Sequence, residues 1–501
     1  MLGGSGCSEL EFFAMIRKGS ALVIGLALSF LLGMAGAVAE TFQYGPASVA
    51  PLAKSLSNAV VNISTSQTVK GPAGTPLPKV PKGAPFEDFF DDFFNKRGGV
   101  PHEDRKISSL GSGFVIDGKE GLIVTNNHVI EGAEEIDVNF HDGSKLVVDK
   151  IVGRDTKADL ALLKVTPKKP LADVKFGDSD AIEVGDWVMA IGNPFGLGGS
   201  VSMGIISAKS RDINSGPYDD YLQTDAAINK GNSGGPLFNM NGEVIGVNTA
   251  IISPTGGSIG IGFAVPSNTV SNVIDQLKQY GEVRRGWLGV KIQSVTDDIA
   301  ETLGLPETAG ALVAAVTPDS PASKAGLEPG DVILKFDGKE VTSMRGLPKI
   351  VAQAPIGKAV DVELLRKGKK QNTEVTVGRL EEDDDNASDL KNDSGTDQED
   401  PKGSSIIGLK LSPLTDALRK KYGFDDKTKG VVVEAVDPQS PAATKGLKPG
   451  DVIVEAAQDS VSDPDDVAKS IEKVKKAGRK AVLLRVEDSK GDLRFIAVPV
   501  S

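Results

Sequence analysis

The sequence predicts a mainly β protein of several domains, and three observations carry that expectation. At 501 residues the chain exceeds what one hydrophobic core organises, so about three domains are expected. From Ser55 to about Val265, short apolar runs alternate with Gly, Asp and Asn turns, as in GSGFVIDG, GLIVTNNHVI, EIDVNFHDGSKL, DWVMAIGNPFG and GEVIGVNTAIIS. Closely spaced strands of this kind indicate barrels or sandwiches rather than strand–helix–strand units. Beyond them a segment repeats: VTPDSPASKAGLEPGDVILKFDGKEV from Val316 returns as VDPQSPAATKGLKPGDVIVEAAQDSV from Val436. Each copy orders a strand, a Ser-Pro-Ala helix start, a Gly turn and Pro-Gly-Asp into another strand, which predicts two related small modules.

Taken from the N-terminus, Arg17 and Lys18 precede an apolar run, Ala21 to Leu32, too short to span a bilayer comfortably. Ala37-Val38-Ala39 before Glu40 reads as a cleavage site, so residues 1–39 are expected to be an export signal, with Met15 as an alternative start. The only Cys, Cys7, precedes the cut, leaving no disulfide or thiolate chemistry to the mature chain. PFEDFFDDFFNK then places Phe86, Phe89, Phe90, Phe93 and Phe94 on one helical face, opposite Glu87, Asp88, Asp91 and Asp92. A helix this short needs something to dock against. After the β-rich region, SNTVSNVIDQLKQYG predicts a closing helix with Val270, Val273, Ile274 and Leu277 inward and Gly281 as its cap. Residues 381–400 hold ten acids and one Lys, so most of the chain's net charge of −12 is local to a flexible tether between the modules. The remainder is near neutral, and no nucleic-acid partner is expected.

Three His residues limit the chemistry. No HExxH or Cys/His cluster supplies a zinc ligand set, and GFVIDGKE ends in Glu120 where a phosphate-binding loop needs Ser or Thr, so no metal and no cofactor are expected. The strong signal is GNSGGPL, Gly231 to Leu237. A serine hydroxyl is a poor nucleophile until a neutral His takes its proton, and glycines beside it let backbone N–H groups turn inward to hold an oxyanion. The backbone of Gly231, Asn232 and Ser233 would form that hole, with Gly231 and Ser233 as donors. His128 ends the buried-looking run GLIVTNNHVI, its backbone expected on a strand, whereas His141 and His102 read as solvated. For the acid that orients the ring, Asp159 directly precedes LALLKV, where a strand would hold it partly buried, and Asp155 falls in the turn.

His128 in TNNHVI, Asp159 in ADLALL and Ser233 in GNSGGPL follow the His, Asp, Ser order of chymotrypsin-like proteases. With the export signal and two C-terminal modules, the chain resembles the HtrA/DegP family of periplasmic serine endoproteases from about Thr41 to Val500. The resemblance implies a chymotrypsin-like double β-barrel protease domain over 40–283, with a regulatory loop at about 65–106. It further implies a first PDZ domain over 284–380, an acidic linker over 381–403 and a second PDZ domain over 404–501. Ile228, five residues before Ser233, stands where the family lines its primary specificity pocket, and Thr224 and Asn229 are further substrate-binding candidates. A branched apolar Ile228 implies a small or medium aliphatic residue before the scissile bond. The Phe stripe would be the docking face of a plug, blocking a neighbouring subunit's cleft in resting oligomers. Its acidic polar face argues against the remaining partner class, a peripheral membrane contact.

Arg211, opening the loop RDINSGPYDD, matches the family's sensor position, although the loop is about one residue short. PDZ domains bind peptide C-termini by strand addition; the carboxylate loops would be Gly286, Trp287, Leu288 and Gly289 with Arg284 and Arg285 beside them, and the segment Ile406 to Lys410. The implied function is ATP-independent degradation of unfolded or damaged exported proteins in the periplasm of a Gram-negative bacterium, with chaperone activity. The implied assembly is a homotrimer, packed through Phe42 and Tyr44, that builds hexamers or larger cages. A holdase chaperone and a peptide-binding signalling scaffold with one client are the alternatives that the residues leave open.

Overall fold

The computed structural model describes residues 45, 48–69, 105–193, 199–229, 231–254, 256–381, 406–425 and 428–500. The export signal, Phe42, Tyr44, the Phe86–Phe94 stripe and most of the acidic tether lie outside the described residues. The chain divides after Ser55 into two units. A short helix, Ala50–Leu56, straddles that division, and everything below concerns the second unit.

Seven strands open it: β1 (Val60–Val69), β2 (Arg105–Asp117), β3 (Leu122–Thr125), β4 (Glu135–Asn139), β5 (Lys145–Val147), β6 (Lys150–Asp155) and β7 (Leu160–Lys164). They pair antiparallel in the order β5-β4-β1-β2-β3-β7-β6. Ile136 and Val138 alternate inward on β4, the period-two pattern of a half-buried strand, whereas β7 runs through Leu160, Ala161, Leu162 and Leu163 with both faces covered. Six more strands close a barrel in the order β10-β13-β12-β11-β8-β9: β8 (Trp187–Gly192), β9 (Ser200–Arg211), β10 (Tyr221–Thr224), β11 (Pro236–Phe238), β12 (Val244–Ile251) and β13 (Gly262–Pro266).

The expected helix follows at Ser267–Tyr280, with Val270, Val273, Ile274 and Leu277 buried and Gly281 at φ 74° capping it through its N–H to Leu277 O. Its end lies on β6 so closely that a Cβ at Gly153 would stand 2.5 Å from Gly281 O. The helix therefore packs back on the first sheet and draws the two β units together.

The repeat folds twice in the same way. The first copy comprises β14 (Gly286–Trp287), β15 (Val290–Ser294), β16 (Ala311–Val316), β17 (Val332–Phe336), β18 (Lys339–Glu340), β19 (Ala359–Arg366), β20 (Lys369–Thr376) and β21 (Gly378–Arg379), with main order β15-β16-β17-β19-β20. The second comprises β22 (Leu409–Pro413), β23 (Val431–Val436), β24 (Val452–Ala456), β25 (Asp459–Ser460), β26 (Ala481–Glu487) and β27 (Leu493–Pro499), ordered β22-β23-β24-β26-β27. The Ser-Pro-Ala starts act as read: Ser320 and Ser440 cap their helices by accepting from Ser323 N–H and Ala443 N–H, with Pro at the first turn.

The two modules are not separate beads on the acidic tether. On the first module's sheet, Val313, Ile333 and Leu364 face its own core, while Leu312, Val332 and Leu365 face the opposite way. That outer face is apolar and is covered by Leu483, Phe495 and Ala497 of the second module in one shared cluster. Gln293 fastens the seam, donating to Phe495 O at 2.8 Å and accepting from Phe495 N–H at 2.9 Å. Phe495 is 2% exposed, so Phe495→Ala should cost about 3–5 kcal/mol of this packing. Calorimetry on the full chain should show the module transitions moving to lower temperature together; an unchanged trace would mean the modules do not share this core in solution.

Candidate active site

Asp159 stands one residue before β7 with φ 53°, a left-handed conformation uncommon for a residue with a Cβ. From that corner it binds three consecutive residues. Its backbone carbonyl accepts from Asn127 N–H at 3.2 Å and from Asn126 Nδ2 at 2.7 Å. Its carboxylate accepts from His128 N–H at 2.8 Å through Oδ1 and meets His128 Nδ1 at 2.6 Å through Oδ2. An ionised carboxylate only accepts, so Nδ1 carries the proton and the neutral ring presents Nε2 as a base. Asn126 also donates to Thr249 Oγ1 at 3.0 Å, tying this corner to β12.

Two expectations are corrected here. His128 is not on a strand but in the helical turn Asn127–Ile130 that follows β3, because pairing with β7 ends at Thr125 opposite Ala161 and the next N–H groups turn to Asp159. Asp159 lies directly before β7 and is partly buried, as expected. Asp155 is not in the turn: it ends β6, is 4% exposed, and forms an ion pair with Arg285.

Ser233 is half-buried on the segment before β11. Its carbonyl accepts from Ser112 N–H at 2.8 Å, and Gly234 N–H donates to Asn248 O at 2.8 Å. A Cβ at Gly234, φ 82°, would stand 2.3 Å from Ser112 O and 2.4 Å from Thr125 Oγ1, so the Ser233 backbone lies against β2 and β3 just before the His128 turn. Gly231 has φ 96°, Asn232 N–H donates to Asn229 O at 3.0 Å, and Gly235 N–H donates to Asn232 O at 2.9 Å. Ile228 is 2% exposed and belongs to the barrel core, with Gly262 opposite: a Cβ there would fall 2.8 Å from Ile228 Cγ1. Asn229 is exposed and accepts from Ser258 N–H at 2.9 Å. Thr224 is a correction, because it is fully buried and its hydroxyl is committed at both ends, donating to Ile205 O and accepting from Ala226 N–H. It offers a substrate nothing.

Comparison with known proteins agrees with this geometry. The trypsin-like peptidase domain matches residues 111–247, and the PDZ domain matches twice, at 286–377 and 405–490. A probable periplasmic serine endoprotease DegP-like of Brucella suis biovar 1 is 42% identical over 521 residues, covering 97% of this chain and 98% of that protein. One from Rhizobium meliloti is 40% identical over 510 residues, covering 96% and 98%. This chain belongs to the HtrA/DegP family of serine endoproteases. The HtrA-type protease AlgW, solved with a decapeptide, is 41% identical with a TM-score of 0.54 over 67% of this chain and 99% of that one.

As an HtrA protease the chain carries two PDZ domains after its protease domain. In the first, Leu288 O accepts from Ala322 N–H and Gly289 O from Thr317 N–H, both at 2.9 Å. Trans peptide planes then point the N–H groups of Gly289 and Val290 the other way, toward the open edge of β15. Gly286 and Trp287 pair with β21, and a Cβ at Gly289 would strike Ser320 Cβ at 2.3 Å. The second loop differs. Ile407 and Gly408 have φ 49° and 79°, and Ile406 and Leu409 exchange both N–H···O bonds at 2.9–3.0 Å, so the amide of Leu409 is closed off inside a tight turn.

Between this first PDZ domain and the protease domain, ion pairs grip the loop 212–220. Arg345 bonds Asp212 and Asn214, and Lys349 bonds Asp220 at 3.1 Å. Arg285, read from sequence only as a neighbour of the carboxylate loop, stacks 4.8 Å over Tyr218 and pairs with Asp155, which ends β6 beside the turn carrying Asp159. Arg211 ends β9 and donates to Gln223 Oε1 on the paired strand β10 at 2.9 Å. Arg285 and Asp155 lie 130 positions apart, so no local signal joins them.

Burial alone would lower the pKa of His128; the charge of Asp159 and its hydrogen bond, helped by Glu131, outweigh burial and hold it above 6.5. A raised folded pKa means that the pair stabilises the fold below the unfolded value and that this contribution is lost as pH rises through the folded one. An NMR titration of the three histidines should place the His128 midpoint above 6.5, and Asp159→Asn should carry it below, since burial then dominates. A midpoint insensitive to that substitution would mean the contact is not formed in solution.

Proposed function

We propose that this chain is an exported, ATP-independent endopeptidase that degrades unfolded or damaged proteins of the cell envelope. In this reading Ser233 attacks the peptide carbonyl, His128 takes and returns the proton through Nε2, and Asp159 orients the ring and balances the imidazolium. The backbone N–H groups of Gly231 and Ser233, with Asn232 between them, hold the oxyanion. The observation that carries this is the grip of Asp159 on His128, set beside a glycine-framed serine backbone.

Ile228 forms the floor of the specificity pocket, and the space above it depends on glycine at 262, which suits small to medium aliphatic residues. Unfolded chains expose such residues and folded chains bury them, so damage selects the substrate. The first PDZ domain takes peptide C-termini along β15, a reading supported by the direction of its amides and by the decapeptide recorded with AlgW. The second is an assembly module whose loop is closed. Peptide binding reaches the site through the ion pairs on loop 212–220, and the unit is a homotrimer that builds larger cages and also holds unfolded chains as a chaperone. Residues 1–39 are the export signal, 40–283 the protease domain, 284–380 and 404–501 the PDZ domains, and 381–403 the linker.

The test is incubation of the purified mature chain with a permanently unfolded protein, beside a Ser233→Ala control. Wild-type-only digestion into many short peptides ending in aliphatic residues is expected, faster at pH 8 than at pH 5 because His128 must be neutral. An intact substrate with both forms, or equal rates at the two pH values, would overturn the mechanism.

A further inference from the structure

Strand β2 passes between the His128 turn and the Ser233 segment as Gly111-Ser112-Gly113. Both glycines are required by close approach: a Cβ at Gly111 would stand 2.6 Å from Val129 and 3.2 Å from Ser233 O, and one at Gly113 would stand 2.9 Å from Val124 O. The single side chain among the three is a hydroxyl, fully buried. Every polar group of Ser112 is engaged across this seam. Its N–H donates to Ser233 O at 2.8 Å and its carbonyl accepts from Thr125 Oγ1 at 2.7 Å. Its Oγ accepts from Asn193 N–H at 2.9 Å and donates to Gly231 O at 2.5 Å. The directions are unambiguous, since an amide N–H only donates and a carbonyl only accepts. Asn193 is itself held, its carbonyl accepting from Asn62 Nδ2 at 3.0 Å while the same amide donates to Gly111 O at 3.1 Å.

We propose that Ser112 is a positioning residue for the oxyanion hole, its hydroxyl locking the Gly231 carbonyl so that the Gly231 N–H stays turned toward the reacting carbonyl. The peptide plane that carries the Ser233 N–H is fixed by Gly235 N–H on Asn232 O. The next plane back, between Gly231 and Asn232, is fixed on one side by Asn229 O and on the other by the Ser112 hydroxyl. Gly231 joins that plane to the one bearing its own N–H, and at φ 96° it has the rotational freedom of glycine. The hydroxyl removes that freedom at the carbonyl. Ser112 touches no substrate; it acts through the donor it orients, and the chain Asn62–Asn193–Ser112 ties that donor to β1 and β8.

The proposal rests on the protease reading, and the experiment separates the two. Mature wild type, Ser112→Ala and Ser112→Cys, the last nearly isosteric but a weak donor, are compared for kcat and KM on a short aliphatic chromogenic peptide. Affinity for a peptide aldehyde, which forms a tetrahedral adduct with the serine, and thermal midpoint are measured in parallel. Loss of one oxyanion donor costs about 10²–10³-fold in kcat, so loss of its support should cost about 10–100-fold. The expected pattern is that both variants lose kcat and aldehyde affinity by similar factors while KM and the fraction folded at assay temperature hold. Wild-type kcat and aldehyde affinity in Ser112→Ala would overturn the proposal alone, as would losses accounted for entirely by unfolding. A wild-type chain that neither cleaves the peptide nor binds the aldehyde would overturn the protease reading and the proposal together.

Discussion

The corner that presents His128 depends on Asp159 and the four hydrogen bonds it accepts from Asn126, Asn127 and His128. The backbone pair bends the chain out of β3 into a helical turn; the side-chain pair then sets the ring that the turn presents. One residue thus supplies both the local fold and the electrostatics, and its left-handed backbone is what lets carbonyl and carboxylate face the same three residues. Strain of this kind persists only where the surroundings over-determine it.

Glycine governs how near the two β units can come. Gly111 on β2, with Gly234 after the serine, removes the side chains that would hold the His128 turn and the Ser233 segment apart. The seam so formed is joined by buried hydrogen bonds through Ser112, Thr125, Asn193 and Asn62. Hydrogen bonds fix peptide orientation, which apolar contacts leave free, and orientation of N–H groups is what a site for a developing oxyanion requires.

The two PDZ domains illustrate divergence within one topology. Strand order and helix capping repeat, yet the first loop aims amides at an open edge and the second closes on itself. The first domain also sends Arg285, Arg345 and Lys349 onto the protease domain, whereas the second covers its outer face with Phe495. Contact with the protease domain and contact with the second PDZ domain therefore fall on different parts of the first one.

Much was legible in the sequence because it is local. Strand-rich character, the closing helix with its Gly281 cap, the Ser-Pro helix starts and the repeat all follow from spacing and residue type within short windows. The choice of His128, Asp159 and Ser233 came from flanking runs and from elimination among three histidines. Tertiary structure decided what depends on residues far apart in the chain: the helical turn under His128, the buried Thr224 hydroxyl, the pairing of Asp155 with Arg285, the shared core at Phe495, and the place of Ser112 between Asn193 and Gly231. A hydroxyl in a glycine-flanked strand has no periodicity to mark it, and an ion pair closed over 130 positions has no window that contains it. Sequence determines which groups are available, and only the fold brings them within hydrogen-bonding distance.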